Sequence, residues 1–171
     1  FSLMHDAVHG AVSKNRLIND VVGAWTGAIS FLPFELWKRS HLEHHTWSGN
    51  LERDPVMMIS RSYPKFPRWL KSTLSIGWRY WIPVIALGQH VVFWILSFRG
   101  WIRNAGLKDI RLTISLLLPV TLWVSVAFLT SWSFMAEAFL PAALVYLIGV
   151  EVVNIPHHMQ LLSLDGDAKL T

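Results

Sequence analysis

From Leu112 to Ala136 the chain carries no charged residue, and after Glu137 a second uncharged run continues to Val150. A helix on the surface of a soluble domain would place charged residues on its outer face at every turn or two. Runs of this length match instead a bilayer core of roughly 30 Å, which a helix of about 20 apolar residues crosses. At 171 residues and 53% hydrophobic, the chain is long enough for a soluble core, so it is the arrangement that decides. We read an all-α integral membrane protein with four apolar segments, at 17–37, 78–98, 112–131 and 138–153. No repeat or low-complexity tract divides them, so residues 1–171 are read as one domain.

Composition narrows the chemistry. The chain has no cysteine, which excludes disulfides and thiolate metal sites. Any metal must then be held by imidazole, carboxylate or amide groups. The net charge of +4 is modest and its basic residues fall between apolar segments, so nucleic acid is not an expected partner.

Histidine is where the sequence is unusual. Seven of its eight histidines fall in three clusters: "MHDAVHG" with His5 and His9, "HLEHH" with His41, His44 and His45, and "NIPHHM" with His157 and His158. Residues three or four apart share a helix face, so His5/His9, His41/His44 and His41/His45 can each clasp one ion. Neutral imidazole is the natural ligand of iron, zinc or copper. Asp6 and Glu43 stand where a carboxylate could accept the second ring N–H and fix its tautomer. Zinc proteolysis would need His-Glu-x-x-His, which is absent. Seven imidazoles exceed what one catalytic zinc takes and suit two ions, and a nitrogen-rich, carboxylate-poor set points to iron. His90, alone in its apolar segment, reads as a satisfied core histidine.

If the clusters form one site, they lie on one side of the membrane. Segment 17–37 separates the first two, so it is expected to be buried or re-entrant rather than a span. The same parity requires an even number of crossings between His45 and His157. Arg53, Arg61, Lys65, Arg68 and Lys71 precede the 78–98 segment, and Arg99, Arg103, Lys108 and Arg111 follow it. By the positive-inside rule both loops are cytoplasmic, so 78–98 should dip or lie in the interface. Its approach, "FPRWLKSTLSIGWRYWIP", mixes Trp and basic residues as an interfacial helix does. Segments 112–131 and 138–153 then form a transmembrane hairpin turning near Ser131–Glu137, with the histidines on the cytoplasmic side.

"HDAVH" resembles the first histidine box, and "HLEHH" the second, of the membrane fatty acid desaturase and hydroxylase superfamily; "ERDP" at 52–55 is also similar to many members. The last box of that family reads His/Gln-x-x-His-His, and "NIPHHM" departs from it. Two readings compete: a degenerate last box with Asn154 in the leading place, or, as we favour, an element whose Asn154–His158 spacing is similar to the additional Asn-x-x-x-His of some members. On that reading the chain, which opens on Phe1, is an internal piece that lacks the family's first transmembrane hairpin and its last box.

The resemblance implies two iron ions, with O2 as co-substrate, held by His5, His9, His41, His44, His45, His157 and His158, and by Asn154 directly or through water. It implies desaturation of a fatty acyl lipid or acyl-carrier substrate within the membrane lipids, with electrons from a donor such as ferredoxin or cytochrome b5 with its reductase. Trp25, Phe31, Phe34 and Trp37 are candidates to line the acyl path, and Arg99, Arg103 and Lys108 to dock an acidic donor. A hydroxylase or carotenoid ketolase would use the same centre. A non-catalytic membrane metal-binding protein is the alternative of another class.

Overall fold

The computed structural model describes residues 1–103 and 108–159, with side chains to Val153, and among these residues every regular element is helical. They group into two compact units, residues 1–39 with 88–143, and residues 40–87 with 144–159.

In the first unit, α1 (Ser2–Val8) turns into α2 (Arg16–Ile29) through Gly10, whose φ of 72° is in the left-handed region. Asn15 caps α2 by accepting from Leu17 N. Buried Asn19 closes the loop: it accepts from Ser13 N and donates to the carbonyls of Ser13 and Asn15. α2 then meets α3 (Phe34–Trp47) at a bend of 110°. Phe31 takes a φ of 50° there, and Pro33 blocks helix continuation. The bend packs tightly because Gly23 and Gly27 leave room for Phe34. A Cβ on Gly23 would stand 2.1 Å from Phe34 Cζ. Met4, Leu32, Phe34 and Trp37 form the core that ties α1 to the bend.

α7 (Ile110–Leu129) is capped by Asp109, which accepts from Leu112 N. Along α7, Trp123 Nε1 donates to Ala28 O, the Ser115 hydroxyl accepts from Glu35 N at 2.9 Å, and Asp109 lies 3.6 Å from Arg39. The chain thus descends to the bend beside the middle of α7 and returns along it toward its start. The expected re-entrant stretch is a helix–corner–helix.

The second unit holds the end of α3, a 3₁₀ turn at Pro55–Met57, α4 (Met58–Ser62), a second turn at Tyr63–Lys65 and α5 (Arg68–Arg79). α5 buries Gly77 and leaves Trp69, Ile76 and Tyr80 exposed along one stripe. It ends where Ile82 N returns to Gly77 O at 2.8 Å and Trp81 takes a φ of 59°. Pro83 follows, and α6 (Val84–Arg103) begins. Segment 78–98 is therefore not one element: it takes in the end of α5, the corner and most of α6. The proline moves the helix start to Val84, and the new helix is itself long and apolar enough to cross a membrane.

Among the described residues three helical stretches pass that test, α6 with mean hydropathy 1.2, α7 with 2.2 and Trp132–Val153 with 1.8, and the bent α2–α3 pair passes it if taken as one span. Trp132–Val153 comprises α8 (Trp132–Phe134), a π turn at Met135–Phe139 and α9 (Leu140–Met159) up to Val153. The break after α7 falls at Thr130 and Ser131, where Ser131 Oγ accepts from Phe134 N, so the turn is shorter than expected.

Candidate metal centre

α1 buries Met4 and Ala7 and leaves His5 and His9 at its accessible face, with ring centroids 4.6 Å apart. Asp6 Oδ1 is 3.4 Å from His5 Nδ1, longer than a normal hydrogen bond. α3 uses its first turns, through Phe34 and Trp37, to anchor in the core and presents His41, His44 and His45 near its end. His41 Nε2 and His45 Nε2 stand 3.1 Å apart. Two nitrogens bonded to one ion at about 2.0–2.1 Å, at octahedral to tetrahedral angles, would be about 2.8–3.4 Å apart. The pair has the spacing of two ligands of one ion.

His44 is oriented differently. Its Nδ1 lies 2.8 and 2.9 Å from the two oxygens of Asp54, which is fully buried. Asp54 also accepts from Val56 N at 2.9 Å and Gly49 N at 3.1 Å, so all of its contacts are donors. A carboxylate so placed assigns the ring proton to Nδ1 and leaves Nε2 with its lone pair for a metal. This is the tautomer-fixing carboxylate that the sequence reading expected of Glu43. Glu43 is exposed, with no hydrogen bond or ion pair among the described residues. The signal for Asp54 was present in the sequence, since Asp before Pro55 is a helix-cap pattern. Its ten-residue distance from His44 hid the contact.

Each unit thus carries an imidazole pair that could hold a metal ion, His5 with His9 in the first and His41 with His45 in the second. α9 runs on through Asn154, His157 and His158 to Met159, but their side chains lie outside the described residues. Of the candidate path residues, Phe34 and Trp37 are buried in the core, whereas Trp25 and Phe31 are exposed. Arg99, Arg103 and Lys108 are exposed.

Among curated proteins, the chain is 31% identical over 115 residues to an omega-3 fatty acid desaturase of Caenorhabditis elegans, covering 61% of this chain and 28% of that protein. It is 25% identical over 173 residues to the sn-1 acyl-lipid omega-3 desaturase (ferredoxin) of Synechocystis, covering 94% and 46%. It is 26% identical over 172 residues to the acyl-lipid omega-3 desaturase (cytochrome b5) of the Arabidopsis thaliana endoplasmic reticulum, covering 97% and 42%. The chain thus spans less than half the length of each. No solved structure matches it. The family model for fatty acid desaturases matches residues 1–169, a stretch that takes in every histidine just described. Paired imidazoles on α1 and α3 and a match over nearly the whole chain lead to one conclusion: the chain belongs to the fatty acid desaturase family.

Proposed function

We propose that the protein carrying this chain introduces a double bond into a fatty acyl chain in the membrane. The observation that carries the reading is the His41–His45 pair, with its 3.1 Å separation of ring nitrogens. His5, His9, His41, His44 and His45 would hold iron, with Asn154, His157 and His158 contributing from the end of α9. Bound there, two iron ions would supply the oxidising power toward an unactivated methylene pair that no side chain has. The overall reaction balances with two hydrogens from the acyl chain, two electrons from a one-electron carrier of the ferredoxin or cytochrome b5 type, and two protons, reducing O2 to two waters. The chain's own groups hold the geometry. Asp54 keeps His44 in one tautomer, and the core around Phe34 and Trp37 fixes the base of the helix that bears the second cluster. The test is the fatty-acid profile of a host expressing the protein, read beside the iron content of the purified protein. A new unsaturated acid and about two iron ions per chain are expected. Bound iron with an unchanged profile, or with hydroxylated product, overturns desaturation.

The proposal includes a topology in which α7 and Trp132–Val153 cross the membrane and α6 stays on the histidine side. Glu151, near the end of α9, accepts from Ile85 and Ala86 at the start of α6. A chain that returns to its own level has crossed an even number of times. Two crossings satisfy that, and α6 has the lowest hydropathy of the three candidates. Arg99, Arg103 and Lys108 then share the cytoplasmic side with Lys65 and Arg68, as the positive-inside rule asks. The chain has no cysteine, so single substitutions report cleanly. Ser131→Cys should react with a membrane-impermeant maleimide from outside, and Arg103→Cys and Lys65→Cys only after permeabilisation. External labelling at residue 103 rejects this arrangement.

A further inference from the structure

Glu151 is a carboxylate within an apolar helix and is 6% exposed. An ionisable group at such depth is costly and persists where it has a partner. Its partner here is a helix end. Oε2 accepts from Ile85 N at 3.2 Å and from Ala86 N at 3.1 Å. The other two amides of the first turn of α6 are already used: Val84 N reaches Ile82 O, and Leu87 N reaches Pro83 O. Leu87 thus makes the first regular bond of the helix, Pro83 has no N–H, and the three orphan donors of that helix start, on Val84, Ile85 and Ala86, are all satisfied. The residue just before α6 is Pro83, which has no side-chain acceptor and cannot cap locally. The cap comes instead from a helix some 65 residues away. Among the described residues, the cavity of about 140 Å³ beside Glu151 is walled by Trp78, Trp81, Ile82, Pro83, Ile148 and Val152, with no Lys, Arg or His.

The start of α6 is itself a rigid fixture. Gly77 lies so close to Val84 that a Cβ would stand 2.5 Å from Val84 Cγ2, and the Ile82–Gly77 hydrogen bond locks the corner. Glu151 therefore ties α9 to a stiff corner at one register. Asn154 follows three residues later and His158 seven, spacings that share a helix face. A slip of one residue would turn that face by about 100°.

We infer that Glu151 is a positioning residue: by capping α6 from α9 it sets the register at which Asn154, His157 and His158 leave the membrane. The inference rests on the metal-binding reading proposed above. The test compares Glu151→Leu, similar in bulk without an acceptor, with Glu151→Gln, which keeps a carbonyl acceptor, in the whole protein in detergent. Amide hydrogen exchange of the 84–90 peptide reads the cap, and iron content under limiting metal reads the positioning. In E151L, exchange at Ile85 and Ala86 should rise roughly tenfold with the loss of both bonds, and iron affinity should fall roughly tenfold or more. E151Q should stay near wild type in both.

A Pro83→Ser change in the E151L background supplies a local cap without the tie to α9. Exchange protection should return while iron affinity stays low. Iron returning with the local cap, or E151L holding iron as the wild type does, overturns positioning. Unchanged exchange in E151L overturns the cap itself. Should E151L not accumulate, the locally capped double variant carries the same comparison. A wild-type protein that binds no iron refutes the proposed function, and the exchange result still reads the cap.

Discussion

Asp54→Asn is expected to lower iron affinity by roughly 10- to 100-fold, whereas Glu43→Gln changes nothing measurable. Of these two carboxyl residues the sequence pointed to Glu43, and only Asp54 touches His44. Asp54 is fully buried and accepts from His44 Nδ1, Gly49 N and Val56 N. Asparagine retains one acceptor oxygen and turns the other position into a donor. At least one of the three donors then faces an NH2 group. Either His44 switches tautomer, so that its metal-facing Nε2 carries the proton, or a loop amide is left unsatisfied. The first loses metal, and the second costs about 1–3 kcal/mol of stability. Iron titration with thermal unfolding of apo and loaded protein separates them. Non-additivity in a His44→Ala and Asp54→Asn cycle would assign the effect to the contact. Equal iron affinity in D54N and wild type would remove Asp54 from the site.

The histidine clusters and the apolar helices could be read from the sequence because both are periodic. Imidazoles at three and four residues declare a helix face, and uncharged runs of about 20 residues declare a span. Parity led to the expectation of a re-entrant stretch at 17–37; the structure shows a bend of 110° between α2 and α3, with its local reason in Pro33 and the glycines that seat Phe34. What stayed hidden was contact across sequence distance. Asp54 reaches back ten residues to His44, and Glu151 reaches 65 to Ala86. Neither leaves a periodic trace, since a buried acceptor is specified by backbone donors that any sequence possesses. The start of α6 at Val84 was hidden within the apolar segment 78–98 for a simpler cause. Pro83 marks a helix boundary by missing its N–H, and hydropathy averaged across 78–98 smoothed that boundary away.

His41→Ala and His45→Ala should each abolish product while leaving the fold nearly intact, and that separation is the strongest available check on the site. The core contacts of α3 are made by Phe34 and Trp37, at the opposite end of the helix from the second cluster. His45 is exposed and His41 half-buried, so each substitution should cost within about 1 kcal/mol of stability in the metal-free protein. The effect on iron is of another order. Removing one nitrogen of a pair 3.1 Å apart leaves its partner a single-point ligand, and without the oxidant no group in the chain can attack a methylene. The expected pattern is an unchanged unfolding temperature without metal, iron reduced by roughly half or more, and desaturation below detection. Lost activity with full iron would make the pair catalytic in some way other than ligation. A large drop in metal-free stability would make these histidines structural, and the metal centre would have to be sought elsewhere in the chain.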